Sequence, residues 1–393
     1  MVCVMKVLIV RGRGIDPAVN KVAKCLSQNG YDVELLVWDR QSTVKVDRSS
    51  EYSVHRCTIR APYDSPYVFM YLPIWWIYEL YYLLKSDCDI IHACDIDTII
   101  PAVFVKFIRK IKLCYTIYDF YADCLSPQTP RVVRGFVAFL EKYFMRFADM
   151  VVLVDESRYA QIKGAKINKI AYIYNTPPDY NCTLQNSDSL GASTFTLFYA
   201  GLLHPDRSLI YVIEALRGLE DTQLIIAGTG PERERIVKYL DESDNKLQYL
   251  GLLSYDDVIK KSLLADMLFA FYDPSTPNNR YASPNKLFES MMCGKPILTN
   301  EGTSMADIVR TENCGIIVPY GDVDAIRNAI LTLRNDPALC KRLGENGRRA
   351  YETKYSWNIM EERLLKIYRG LDPVQRQAGA TALPEPHTTR NRL

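Results

Sequence analysis

The sequence predicts an α/β protein built from two Rossmann-like domains in series, closed by a terminal helix. Three observations carry this reading. Short runs rich in β-branched residues alternate with amphipathic segments from the first residues onward, the pattern of βαβ units around parallel sheets. A strand-poor interval from Asn175 to Ser193, containing Pro177-Pro178 and then Asn and Ser, divides two such series as a linker would. Beyond it, an apolar stripe at helical spacing ends the patterned part of the chain.

In the first series the expected strands are Lys6-Val10, Val33-Trp38, Ile90-Ile91, Leu113-Ile117, Met150-Val154 and Ile170-Tyr174, with a helix from Pro17 to Asn29 stopped by Gly30. In the second they are Thr196-Ala200, Gln223-Ala227, Leu247-Tyr249, Met267-Phe271, Pro296-Leu298 and Gly315-Val318. Helices are expected around Leu209-Leu216, Glu232-Leu240, Asp256-Leu264, Asn285-Met292 and Val323-Arg334. Trp357, Met360, Leu364, Tyr368 and Leu371 then mark an amphipathic helix that needs a surface to cover. The division is residues 1–178, 194–356 and 357–371, with 372–393 read as a disordered tail because it has no periodicity.

At 393 residues there is length for two buried cores. The 48 basic and 46 acidic residues leave a net charge of +2, too balanced for a protein whose main work is gripping nucleic acid. The 11 cysteines form no CxxC pair and fit a reducing, cytoplasmic setting rather than a zinc cage or a disulfide framework. With four histidines and none at ligand spacing, no metal site is expected. The apolar run at Lys6-Val10 is too short for a signal peptide, and the stretch from Tyr67 to Leu84 carries Pro73 and Glu79, so no spanning helix is expected.

Gly201 follows a strand and precedes Arg207 and a helix, which suits either a phosphate seat or an ordinary turn. The loop Gly228-Thr229-Gly230-Pro231 lacks dinucleotide spacing and is explained by its turn. The segment Ser283-Pro284-Asn285-Lys286-Leu287-Phe288-Glu289 is more informative. Here Ser283 is expected to cap a helix whose free N–H groups, with Lys286, would hold a diphosphate, while Glu289 one turn on would accept ribose hydroxyls. A capped amphipathic helix with a Glu–Lys pair fits the same residues.

That segment, continuing to Gly294-Lys295-Pro296, resembles the donor-binding helix of glycosyltransferase family 4, retaining enzymes of the GT-B fold. Asp16-Pro17 through Asp39-Arg40 resembles the family's first βα unit. Tyr199-Ala200-Gly201 with Arg207, Gly228-Thr229-Gly230-Pro231, Ala265-Asp266, Gly315-Ile316-Ile317-Val318-Pro319 and Tyr355-Ser356-Trp357 follow in the family's order. The resemblance implies two domains facing a cleft and a last helix crossing back to the first domain. It also implies a nucleotide-sugar donor, a glycan or lipid-linked acceptor, transfer with retention, and no cofactor or metal. It makes Arg207 and Lys286 the diphosphate clamps and Glu289 the ribose acceptor, with Ser283, Asn285 and Gly201 around the same seat. It sets Leu253 beside the base and Gly12 and Gly14 in the loop facing donor and acceptor; Asp119 and Tyr118 are expected to approach from the first domain. Three positions depart from the pattern: Tyr281 stands eight before Glu289 where the family has a second glutamate, Leu202 replaces a frequent arginine, and Tyr118 replaces a frequent histidine. A non-catalytic relative that keeps a nucleotide or partner site is the alternative.

Asp95-Ile96-Asp97 could be a metal-binding DxD, but a helix cap is the expectation. His92 reads as structural. The interval Tyr63 to Tyr82 has nine aromatic residues in twenty, among them Trp75 and Trp76. Val133, Phe136, Val137, Leu140, Phe144 and Phe147 form a stripe beside Arg131, Arg134, Lys142 and Arg146. Both segments suit either a core or a peripheral contact with a cytoplasmic membrane surface, and in the second case several rings, Trp75 and Trp76 included, would face the bilayer.

Overall fold

The computed structural model describes residues 4–40, 51–62, 68–125, 128–180, 194–240 and 246–372. The first sheet comprises β1 (Lys6–Arg11), β2 (Asp32–Trp38), β3 (Ser53–Cys57), β4 (Ile90–Cys94), β5 (Lys112–Ile117), β6 (Met150–Leu153) and β7 (Ile170–Tyr172), in the order β3-β2-β1-β4-β5-β6-β7. The second comprises β8 (Phe195–Leu202), β9 (Thr222–Thr229), β10 (Leu247–Tyr249), β11 (Met267–Ala270), β12 (Ile297–Asn300) and β13 (Gly315–Val318), in the order β10-β9-β8-β11-β12-β13. Pairing within both is parallel, for example Ile9 opposite Leu35 and His92, and Phe198 opposite Ile225 and Leu268. In each sheet the strand order reverses at the first strand, and such a switch point opens a crevice beyond the strand ends. Gly12 and Asp95 follow β1 and β4, Tyr118 follows β5, and Gly201 is the penultimate residue of β8, so the crevices hold the segments of chemical interest.

The strands are apolar because helices cover both faces: Leu8 to Val10 and Ile90 to Cys94 are buried throughout. One layer, the helices Val68–Lys85, Ile96–Arg109 and Arg131–Met145, shares a core with Leu8, Val10, Leu36, Trp38 and Tyr115. The other face of that sheet is covered by the helix Pro17–Gln28 together with the terminal helix Trp357–Leu371, which crosses back from the second domain. The terminal helix turns inward the residues of the expected stripe, Trp357, Met360, Leu364, Tyr368 and Leu371. Tyr368 meets Tyr31 edge to face at 5.6 Å, and Met360 Sδ accepts from Tyr174 N at 3.3 Å.

His92 is the buried anchor of this crossing, with Nε2 2.6 Å from the Thr116 hydroxyl and Nδ1 2.7 Å from that of Tyr368. Burial pushes its pKa down from 6.5 to about 4. The unfolded chain therefore takes up a proton below about pH 6.5 while the folded chain does not, so stability is complete above that pH and is lost as pH falls towards 4. The expected result is a pH-dependent loss of about 3 kcal/mol between pH 6.5 and 4, measured by urea denaturation, that is absent in His92→Gln. Parallel pH profiles for the parent and the variant would exclude it.

Several elements escaped the sequence reading. β3 is a short edge strand of Ser53-Val54-His55-Arg56-Cys57, polar because little covers it. The helices Ser304–Glu312 and Pro337–Ala350 were also missed. In the latter, Gly344 and Gly347 look like breakers, but they admit the neighbouring helix: a Cβ on Gly344 would overlap the Gly294 carbonyl. Two expectations are corrected. Trp75 does not face solvent: it is fully buried, stacks on Trp38 at 5.5 Å, and donates with Trp76 to the Asp97 carbonyl at 2.9 and 3.0 Å. It shares the inward stripe of its helix with Val68, Leu72, Glu79 and Leu83. Asp95 does not cap the helix that follows, since its side chain makes no capping bond and its backbone is left-handed (φ 66°). Residues 63–67 of the aromatic interval, 181–193 of the linker and 373–393 of the tail lie outside the described residues. No described helix is long and apolar enough to cross a membrane.

Candidate active site

Between the domains lies a cavity of about 280 Å³ walled by Arg11, Asp16, Tyr118, Asp119 and Arg158 on one side and by Arg207, Tyr272, Asn278, Asn279 and Ser283 on the other. The first wall is organised by Asp95. Its Oδ2 pairs with the buried Arg11 guanidinium, and its Oδ1 accepts from the backbone N–H groups of Tyr118 (2.8 Å) and Asp119 (3.2 Å). Arg11 also donates to Asp16 at 3.0 Å, and Asp16 in turn caps the Pro17–Gln28 helix through Val19 N at 2.9 Å. The Arg11 guanidinium lies 4.6 Å from the centre of the Tyr118 ring, and burial drives the Tyr118 phenol well above its ordinary pKa. In this arrangement Asp95, the first carboxylate of the Asp95-Ile96-Asp97 segment, holds the Tyr118-Asp119 turn.

Asp119 projects from that turn. Asn278 Nδ2 donates to its carboxylate at 3.0 Å, Arg158 lies at 3.4 Å, and Arg158 also donates to Asn278 Oδ1 at 3.2 Å. The three side chains thus join the domains across the cleft. Burial works against the Asp119 charge, but Arg158, Arg13 and the Asn278 bond outweigh it and hold the carboxylate below its usual range. Asn278 and Arg158 were not singled out from the sequence. Asn278 belongs to the four-residue helix Pro277–Arg280, just ahead of Tyr281, which stands where the family pattern has a glutamate.

On the second wall, Arg207 stacks on Tyr272, its guanidinium 3.8 Å from the ring centre, and is paired with Asp206 at 3.2 Å. The helix Asn285–Cys293 begins here. Its N-cap is Pro284, one residue later than expected, because proline already fixes an extended backbone there and Ser283 lies too far back to reach the first turn. The Ser283 hydroxyl and Asn285 Oδ1 are buried without a hydrogen-bond partner. Buried polar atoms left open in this way at a helix N-terminus are suited to a ligand.

Lys286 and Glu289 line a smaller neighbouring pocket with Phe198 and Ala200. The ammonium sits 4.5 Å from the Tyr199 ring centre and beside Gly201, whose missing side chain makes room: a Cβ there would come within 2.5 Å of Nζ. Burial lowers the Lys286 pKa to about 8, Glu289 opposing and Arg207 reinforcing the shift. Glu289 is raised by burial, against the pull of Lys286, and accepts from the Tyr255 hydroxyl at 3.1 Å. Leu253 packs on a cluster with Phe198, Ala227, Ala265 and Leu268. Gly12 lies outside both pockets: its carbonyl accepts from Arg40 at 2.7 Å, and a Cβ would overlap the Asp97 carboxylate. Gly14 follows in the same loop. Tyr118, Asp119, Arg207 and Ser283 therefore share one cavity, and Lys286 and Glu289 the next. Among the described residues no group of three or more His, Cys, Asp and Glu is placed to hold a metal ion.

Residues 13–176 match the model of the family described as Glycosyltransferase Family 4, and residues 185–350 that described as Glycosyl transferases group 1. A GDP-mannose-dependent monoacylated alpha-(1-6)-phosphatidylinositol monomannoside mannosyltransferase of Corynebacterium glutamicum is 28% identical over 151 residues, 37% of this chain but only 39% of that protein. The capsular polysaccharide biosynthesis glycosyltransferase CapM of Staphylococcus aureus is 27% identical over 267 residues, 62% of this chain and 68% of that one. Among solved structures, sucrose-phosphate synthase from Thermosynechococcus elongatus matches with a TM-score of 0.72 at 17% identity, covering 96% of this chain and 100% of that one. Anabaena HepE in complex with UDP matches with a TM-score of 0.68 at 17% identity, covering 93% and 100%. At these identities the likeness is one of fold.

Proposed function

From the premise that this chain belongs to glycosyltransferase family 4, we propose that it transfers a sugar from a nucleoside diphosphate donor to a hydroxyl of a glycan or lipid-linked acceptor. Transfer is with retention, needs no metal, and takes place at the cytoplasmic surface of a membrane. The observation that carries the reading is the start of the Asn285–Cys293 helix, where Lys286, Arg207 and two open polar atoms converge. Fixed positive charge and helix N–H groups at that point suit a diphosphate leaving group. The relative that uses GDP-mannose and the fold neighbour bound to UDP support a nucleotide there.

In this reading the bond from the anomeric carbon to the diphosphate oxygen breaks, and its electron pair leaves on the phosphate. The acceptor oxygen bonds to the same face of the sugar, and its proton passes to the departing phosphate oxygen. Asp119, held ionised by Arg158 and Asn278, faces the positive charge that develops on the sugar. Glu289 takes the ribose hydroxyls in place of the Tyr255 hydroxyl, and Leu253 lies against the base.

Incubation with UDP-glucose or GDP-mannose and an acceptor extract is expected to release the nucleoside diphosphate together with glycosylated product, with or without EDTA. Loss of all activity with EDTA and recovery with Mn²⁺ would overturn the metal-free step. Glu289→Ala is expected to weaken nucleoside diphosphate binding by about 1–3 kcal/mol in calorimetry. Unchanged affinity would remove Glu289 from the donor site. A second reading, nucleotide binding without transfer, is favoured by Tyr281 in place of the family's glutamate. Tight binding with no product from any donor would establish it.

A further inference from the structure

The helices Val68–Lys85, Ile96–Arg109 and Arg131–Met145 lie side by side on one face of the first sheet, and their outer surface is unlike that of an ordinary covering layer. On the first, Met70, Ile74, Ile77, Tyr81 and Leu84 recur at intervals of four and three and are exposed, Met70 by 72% and Ile77 by 70%. The second exposes Phe104, Phe107 and Ile108, and the third exposes Val132, Phe136, Phe139 and Tyr143. Outward stripes on helices of water-soluble domains are normally charged, and contiguous apolar patches of this extent mark an interaction surface.

The charges on the same helices indicate what covers it. The three helices carry three carboxylates, Glu79, Asp97 and Glu141, and all are turned inward: Glu79 and Glu141 are fully buried, and Asp97 lies under Gly12. Exposed cations stand around the apolar area, with Lys85 and Lys110 at the far ends of the first two helices and Arg131 at the start of the third. Arg146 stacks on Tyr143. An apolar field with exposed cations and no outward-facing carboxylate on its own helices complements negatively charged lipid headgroups over acyl chains. A protein partner would call for both signs of charge around the rim.

The face also reaches the cleft. Phe69, at the start of the first helix, meets Tyr121 edge to face at 5.7 Å, and Tyr121 lies two residues after Asp119. We propose that this three-helix face seats the protein on an anionic bilayer, and that the acceptor is a lipid-borne glycan whose head enters the cleft past Phe69 and Tyr121. The acceptor clause rests on the transfer reading; the docking surface does not.

The test is co-sedimentation of the full chain with phosphatidylcholine vesicles, with and without phosphatidylglycerol. The parent should bind the anionic vesicles and release at high salt. The triple variant Met70→Ser, Ile77→Ser, Phe136→Ser should lose at least about tenfold in partitioning. Lys85→Glu, Lys110→Glu, Arg131→Glu should lose about a hundredfold or more on anionic vesicles alone. All six positions are exposed, so circular dichroism and nucleoside diphosphate binding should match the parent. A parent that ignores both vesicles, or variants that bind as the parent does, would overturn the proposal. So would a parent dimer in sedimentation velocity that the serine variant abolishes, which would assign the face to a second copy. Failure of nucleoside diphosphate binding would count against the transfer reading and leave the docking result standing.

Discussion

Lys286→Ala is expected to lower kcat by about 10²–10³-fold, the scale seen when one fixed donor facing a developing negative charge is removed. The ammonium is held beside the helix start by the Tyr199 ring and by the absence of a side chain at Gly201. Gly201→Ala, which displaces Nζ without deleting the charge, should therefore give a smaller loss of the same kind. The parent should also show a pH signature. Burial brings the Lys286 pKa to about 8, whereas a bound diphosphate favours the charged form and raises it. Donor binding then takes up a proton above pH 8. Affinity should be flat below about pH 8 and fall, by up to about tenfold per unit, as pH rises beyond it. Lys286→Ala should bind weakly at every pH without that inflection. A full-strength inflection surviving in the alanine variant would assign it to another group.

Much of the fold was legible because it rests on apolar strands and helical stripes that signal themselves locally. The expected strands of both series all appear, with Ile90-Ile91 three residues short of the observed Ile90–Cys94 and the others within two, since their apolar positions are largely buried under the covering helices. What the sequence hid depends on partners far away in the chain. β3 is polar because it is an edge, and Gly344 looks like a helix breaker until the Gly294 carbonyl is seen against it. Nine aromatic residues in twenty could not say which rings point inward; the helix geometry sorts them, with Trp75 stacked under Trp38 and Tyr81 outside. At the candidate site the helix start at Asn285 was readable from Pro284 and Lys286. The bridge from Asn278 to Asp119 spans 159 residues of sequence and two domains, and no local pattern announces it. Asp95 misled for a related reason: a carboxylate just before a helix normally caps it, but here the left-handed backbone turns the side chain away, towards Arg11.

That left-handed aspartate supports the largest stability effect expected in the molecule. Asp95 is only 4% exposed and Arg11 3%, and the pair is completed by Asp16 on the guanidinium and by two backbone N–H groups on the carboxylate. Asp95→Ala would leave a buried guanidinium with one acidic partner and two N–H groups with none, a change expected to cost about 3–5 kcal/mol. Asp95→Asn keeps an acceptor for Tyr118 N and Asp119 N but loses the charge, so it should fall between alanine and the parent. Asp95→Gly removes the same contacts but tolerates φ 66°, so it should be less damaging than alanine by the backbone strain it relieves. Urea denaturation followed by circular dichroism ranks the four proteins as parent, asparagine, glycine and alanine in falling order. An alanine variant as stable as the parent would show that the ion pair contributes nothing net. Repeating the series with EDTA and with Mn²⁺ tests the metal reading of Asp95 and Asp97 on the same samples. The ion-pair account expects identical midpoints in both, whereas a Mn²⁺-dependent stabilisation of the parent that Asp95→Ala abolishes would return the carboxylate to a metal.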